Sequence, residues 1–211
     1  MHCVIIAGSP ETDSNFIKSI VKDDDYIICA DRGYVFAKNA GITPDVVVGD
    51  FDSYSDSIPS NCEIVALNPI KDDTDTVHSI DIALERGYRD ITVIGAIGGR
   101  TDHTFANISA LEYLHSKGAR GVLLSEKERI EFLSKSEYSY SGYKGKTFSL
   151  FPFGCDKVCV SYSGVKYPLD KYFIKSHIPL GISNVFLYDD CKINIYDGNA
   201  ILIINLSEEY I

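Results

Sequence analysis

Six short runs of β-branched and other apolar residues, separated by polar turns and helical patterns, constrain this fold more than any other feature. They are "VIIA" at 4–7, "YIICA" at 26–30, "VVV" at 46–48, "IVAL" at 64–67, "ITVI" at 91–94 and "VLL" at 122–124. Strands that are apolar on both faces belong in a parallel sheet covered by helices on each side. Between the runs, Val77, Ile80, Ala83 and Leu84 share a helical face that stops at Gly87, and Phe105, Ile108, Leu111 and Leu114 mark a second helix. Residues 1–128 are therefore predicted to form an α/β domain on a mostly parallel sheet. Beyond about residue 130 the period changes to alternation, as in "DKVCVSYSG" and "KINIYDGNAILIINL", with Asp197-Gly198 expected as a hairpin turn. Nine of the 14 tyrosines fall in this half, in keeping with the β preference of aromatics. Residues 129–211 are predicted to be an all-β, antiparallel domain.

Charge narrows the function. With 30 acidic against 20 basic residues the formal net charge is −10, which disfavours nonspecific attraction to nucleic acid or an anionic membrane. The six cysteines form no CxxC pair and several lie in apolar runs, so they read as reduced core thiols. The opening residues do not resemble a basic-plus-apolar leader, and every apolar run is far shorter than the roughly 20 residues that span a bilayer. A soluble protein of the cytoplasm is expected.

In an open parallel sheet, ligands collect beyond the carboxyl ends of the strands. The residues that follow the runs here are Gly8-Ser9, Asp31-Arg32-Gly33, Gly49-Asp50-Phe51-Asp52, Asn68-Pro69 leading into "IKDDTD", and Gly95 leading into "AIGGRTDH". From Asp45 to Asp75 there are eight acids (Asp45, Asp50, Asp52, Asp56, Glu63, Asp72, Asp73, Asp75) and one base, Lys71. Hard oxygen ligands gathered at one sheet edge suit magnesium, which takes one or two protein carboxylates and completes its shell with water and phosphates. Lys71 and Arg100 can meet phosphate oxygens, and Gly95, Gly98 and Gly99 let backbone amides approach an anion. Together these features favour a nucleotide. Helix capping accounts for Asp72 and Asp73 at least as well as chemistry does, and Asp102 also fits a cap. "GYKGKTFSL" lacks the first glycine of a P-loop and runs into a strand pattern, so it is expected to be a turn.

The ordered set "GDFDS", "KDDTDT" and "GGRTDH", followed by "SGVKYPL" and "GISN", resembles thiamine pyrophosphokinase over nearly the whole chain. The resemblance implies transfer of the pyrophosphoryl group of ATP to the hydroxyl of thiamine, giving thiamine diphosphate and AMP. It also implies an α/β nucleotide-binding domain joined to a β-sandwich, and a homodimer. Asp50, Asp52 and Asp75 match the family's catalytic, magnesium-binding acids. Asp31, Lys71, Thr74, Arg100, Asp102 and His103 match ATP-site positions, while Ser163, Tyr167, Ser183 and Asn184 fall in the motifs that hold thiamine.

Two other readings start from the same residues. Asp-x-Asp after a strand also serves metal-dependent glycosyltransferases that bind a nucleotide sugar, which explains Asp50 and Asp52 but not the further acidic blocks. A non-catalytic nucleotide-binding or calcium-binding module is the other; calcium loops usually gather their ligands within one loop, whereas these acids are spread over several strand ends.

Overall fold

The structure is a computed structural model and describes residues 1–49, 62–67 and 74–209. Two compact units make up the chain, Met1–Ser125 and Glu126–Ile211. In the first, the elements run β1 (His2–Ile6), α1 (Ser14–Ile20), β2 (Tyr26–Ala30), α2 (Gly33–Asn39), β3 (Val46–Gly49), β4 (Glu63–Ala66), α3 (Asp75–Glu85), β5 (Asp90–Ile94), α4 (Thr101–Ser116) and β6 (Arg120–Leu124). Every predicted apolar run is a strand. All adjacent pairs among them are parallel, in the order β6-β5-β1-β2-β3-β4.

Burial explains why the runs are apolar without alternation. Cys3, Val4, Ile5 and Ile6 of β1 are all fully buried. Val4 and Ile6 join a core with Ile17 of α1 and Tyr34 and Ala37 of α2. The pleat sends Ile5 to the opposite face, so neither face of this central strand tolerates a polar residue. β4 departs from that pattern: it ends the strand order, and Ile64 is 53% exposed. The predicted core face of α4 is also corrected at one position. Phe105 is 62% exposed, and the buried stripe is Asn107, Ala110, Leu111 and Leu114. Helices begin on side-chain caps where the sequence supplies them: the Asp13 carboxylate accepts from the Asn15 and Phe16 amides, and the Thr74 hydroxyl oxygen accepts from the Val77 amide. Thr74 is thus the cap of α3; Asp72 and Asp73 lie outside the described residues.

The second unit contains β7 (Glu128–Leu133), β8 (Ser136–Tyr140), β9 (Lys146–Pro152), β10 (Lys157–Ser163), β11 (Leu169–Lys175), β12 (Asn184–Val185), β13 (Cys191–Asp197) and β14 (Ala200–Glu209). Pairing is antiparallel throughout, in one array β12-β9-β14-β7 and another β11-β10-β13-β8. Phe148, Leu150, Leu202 and Ile204 from the first array share a core with Val158, Val160, Ile193 and Ile195 from the second. The turn at Gly198 (φ +75°) is present, but it is not a hairpin: β13 pairs with β8 and β10, and β14 pairs with β7 and β9. The chain changes sheets there. A two-residue turn signal specifies the reversal but not the partner, which is chosen by the larger apolar surface that each strand buries. Gly142 and Gly145, both at positive φ, turn the chain from β8 into β9, so the lysine-containing stretch between them is a strand connection.

Candidate active site

A cavity of about 320 Å³ opens in the first unit at the carboxyl ends of β1, β2 and β5. Its position follows from the strand order. After β1 the chain moves outward to β2, β3 and β4, then returns to place β5 on the other side of β1. The two connections leave β1 and β5 in opposite directions, so a crevice forms between them.

Each wall of the crevice comes from one strand end. Ala7 to Pro10 follow β1, Asp31 follows β2, Gly95, Ala96, Gly98 and Arg100 follow β5, and Thr74 to Thr76 enter from the start of α3. Asp31 is held in the left-handed region (φ +47°), with its amide donating to the Val48 carbonyl at 2.7 Å. A short polar side chain tolerates that conformation better than most, and strain of this kind gathers at functional sites. Asp75 lies in the first turn of α3, where the helix dipole favours a carboxylate. His103 and Asn107 reach the cavity from α4.

Arg100, the N-cap residue of α4, donates through Nε and Nη2 to the two carboxylate oxygens of Asp102, at 3.1 and 2.5 Å. The bidentate hydrogen bond to Arg100, assisted by the His103 amide, pulls the Asp102 carboxyl down to about 2, and the same contact pushes the Arg100 guanidinium up. Both side chains are largely exposed, so the pair contributes little to stability and a phosphate can compete for the guanidinium. Asp102 is not among the cavity-lining residues and meets the site through Arg100.

The glycine loop that carries Arg100 is tied down along its length. The Ser9 amide donates to the Gly95 carbonyl (2.9 Å), the Asn107 side-chain amide to the Ala96 carbonyl (2.8 Å) and the Ser9 hydroxyl to the Ile97 carbonyl (2.7 Å). Gly95, Gly98 and Gly99 all have positive φ. A methyl group on Gly95 would sit 2.5 Å from the Ala7 carbonyl oxygen, so glycine is needed there for space as well as for conformation. Asn107 was not singled out from the sequence, and Ser9 only as a residue that follows β1, without a role. The available signal was Asn107 itself, a polar residue at the spacing of Leu111 and Leu114 on a core stripe.

The structure thus brings Asp31, Thr74, Asp75, Arg100 and His103 around one cavity. Asp50, Asp52 and Lys71 lie outside the described residues. Among the described residues no group of three or more His, Cys, Asp or Glu side chains is arranged to hold a metal ion.

In the second unit the two expected thiamine motifs meet. The buried Asn184 side chain clamps the Tyr167 backbone: its Oδ1 accepts from the Tyr167 amide (3.0 Å) and its Nδ2 donates to the Tyr167 carbonyl (2.8 Å). The Val185 amide also donates to Oδ1, which fixes the orientation of the side-chain amide. The Tyr167 ring is left 57% exposed, with Lys166 Nζ 5.4 Å from its centroid. Ser183 is exposed at φ +56° with its amide on the Ser149 hydroxyl, and Ser163 is exposed at the end of β10.

Comparison with known proteins gives the same division. The thiamin pyrophosphokinase catalytic-domain model matches residues 17–123, and the thiamin pyrophosphokinase vitamin B1 binding-domain model matches residues 130–199. Thiamine pyrophosphokinase of Bacillus subtilis is 29% identical over 205 residues, covering 94% of this chain and 96% of that protein. Thiamin pyrophosphokinase 1 of Caenorhabditis elegans is 23% identical, covering 86% and 80%. The crystal structure of the Bacillus subtilis protein superposes with a TM-score of 0.89 at 26% identity, over 99% of this chain and 100% of that one. Thiamin pyrophosphokinase from Candida albicans, at 17% identity, has the same fold with a TM-score of 0.78, over 97% and 88%. Family models that together span most of the chain, and that meet the nucleotide-type crevice in one unit and the paired loops in the other, place this chain in the thiamin pyrophosphokinase family.

Proposed function

We propose that this chain is a thiamine pyrophosphokinase, transferring the pyrophosphoryl group of ATP to the hydroxyl of thiamine to give thiamine diphosphate and AMP. The observation that carries the reading is the crevice between β1 and β5, where two carboxylates, a guanidinium and a glycine-rich loop face one space in a chain of this family. Attack of an alcohol oxygen on the β-phosphorus, with AMP leaving, needs in-line positioning and charge neutralisation more than covalent catalysis. Arg100 and the start of α4 supply positive potential for the phosphate chain, and Thr74 fixes the turn that presents Asp75. Asp102 aligns the Arg100 fork, and Asp31, Lys71 and His103 complete the ATP site.

Asp75, which lines the cavity, offers a hard oxygen of the kind magnesium takes. We assign Asp50, Asp52 and Asp75 to hold it. When bound, the ion offsets the negative charge of the phosphates. Ser163, Tyr167, Ser183 and Asn184 are assigned to thiamine, with the exposed Tyr167 ring available to a flat cationic heterocycle. We further read the two arrays of the second unit as a sandwich, supported by their shared core. We read the enzyme as a cytoplasmic homodimer, consistent with six free cysteines and with exposed Ile182, Leu187 and Tyr188. Among the described residues no helix is long and apolar enough to cross a membrane.

The test is one incubation of purified protein with ATP, magnesium and thiamine, resolving AMP, ADP, thiamine monophosphate and thiamine diphosphate. Equal amounts of AMP and thiamine diphosphate are expected. ADP with thiamine monophosphate would make it a simple kinase, and no product would overturn the reading.

A further inference from the structure

The loop after β5 contributes Gly95, Ala96 and Gly98 to the crevice wall, and a loop of this kind can present either backbone polarity to a polyanion. A carbonyl oxygen facing a phosphate repels it, whereas an N–H attracts it. In this chain the carbonyls of three successive loop residues are occupied by protein donors. Ser9 holds Gly95 through its amide and Ile97 through its hydroxyl, and Asn107 holds Ala96 through Nδ2. The Thr104 hydroxyl adds a longer contact to the Gly98 carbonyl at 3.4 Å. Asn107 is only 7% exposed on the core stripe of α4, a position where an apolar side chain would serve packing better. The Ser9 hydroxyl is likewise spent on the loop rather than on its own turn, where the Thr12 hydroxyl already donates to the Ser9 carbonyl.

We propose that Ser9 and Asn107 are positioning residues for the nucleotide: by engaging the carbonyls of Ile97 and Ala96 through their side chains, beside the Gly95 carbonyl held by the Ser9 amide, they keep these oxygens from facing the phosphate chain. This rests on the reading of the crevice as the ATP site. Neither side chain is required to touch the phosphates. Loss of one side-chain donor frees the carbonyl of Ala96 or Ile97 and lets the loop rotate.

The test uses full-length Asn107→Ala and Ser9→Ala with steady-state kinetics and inhibition by adenosine. Each substitution is expected to raise the Michaelis constant for ATP about tenfold, the equivalent of one lost buried hydrogen bond. The constant for thiamine and inhibition by adenosine, which lacks phosphates, should stay within about twofold of the parent. Asn107→Asp, which puts a carboxylate against the Ala96 carbonyl, should be worse than Asn107→Ala for ATP and equal to it for adenosine. Ser9→Ala alters a partly exposed hydroxyl and keeps the test alive if the buried Asn107 variants do not fold. Equal losses for ATP and adenosine would show general collapse of the crevice and overturn the proposal, as would unchanged constants for ATP. Parent protein that forms no thiamine diphosphate would instead overturn the function on which the proposal rests.

Discussion

Gly33→Ala should damage both the fold and the site, for a reason that can be measured in ångströms. Gly33 opens α2 directly behind β1, and its φ is not in the left-handed region, so it is glycine for space rather than for conformation. An added methyl would lie 1.9 Å from the Ile6 carbonyl oxygen and 2.6 Å from its carbon. Both neighbours are backbone of a fully buried strand, so no rotamer change can relieve the clash. The 1.9 Å gap must open to an ordinary contact of about 3.5 Å, a shift of roughly 1.6 Å in the start of α2. Overpacking of this kind costs about 3 kcal/mol, at the upper end of its usual range, because the core cannot yield. For a chain of this size that lowers the melting temperature by about 6–12 °C. Asp31, two residues upstream on the crevice wall, moves with the helix start, and a misplacement near 1 Å costs on the order of 100-fold in kcat/KM. The comparison is Gly41→Ala, where φ is +73° and no described residue lies within 4 Å of the added methyl. That change costs only the local strain of about 1 kcal/mol and leaves activity alone. Calorimetry and turnover on the two variants decide the matter. A Gly33→Ala protein that melts within 2 °C of the parent, as an approximate bound, and turns over normally would refute the close approach of α2 to β1.

Other predictions are independent of that contact. Asp75→Asn should reduce turnover by about 100-fold or more while lowering the melting temperature by no more than about 4 °C, because the residue lines the cavity and its charge adds only a helix-dipole contribution to stability. Tyr167→Ala should raise the Michaelis constant for thiamine by about threefold to tenfold and leave that for ATP unchanged, as expected for loss of a ring contact to a cation. Tyr162→Phe should be neutral or stabilise by about 1 kcal/mol, because its buried hydroxyl has no hydrogen-bond partner among the described residues and burial pushes the phenol up; a chemical denaturation midpoint that falls would contradict this. The Asp102 carboxyl, depressed to about 2 chiefly by Arg100, should titrate by carbon NMR well below an ordinary aspartate near 3.9, and Arg100→Ala should raise it toward that value, short of it by what the His103 amide still contributes. Because the folded value is lowered, the pair's contribution is complete above the ordinary value and disappears as pH falls toward 2.

Much of this molecule could be read from spacing alone. Continuous apolar runs specify buried strands because both faces of a covered parallel sheet exclude water, and Cys3 to Ile6 are buried as that argument requires. Thr74, Asp75 and Arg100 were legible as strand-end and helix-start residues, since local sequence decides where elements begin. Asn107 was not legible: its role depends on the Ala96 carbonyl, eleven residues away on a separate loop. Ser9 reaches Ile97 across 88 positions, and Phe105 shares the apolar pattern of its helix yet ends up in solvent. By itself, then, the sequence determined the six strands of the first unit and its two longer helices, α3 and α4, the change of period near residue 130, and the motifs that identify the family, because each depends on residues a few positions apart. Tertiary structure alone decided that β5 returns beside β1, that β13 and β14 part to different sheets, and that Asp31, Asp75 and Arg100 share one cavity. Those outcomes depend on which strands pair across the whole chain, and pairing is chosen by the total apolar surface buried rather than by any local pattern.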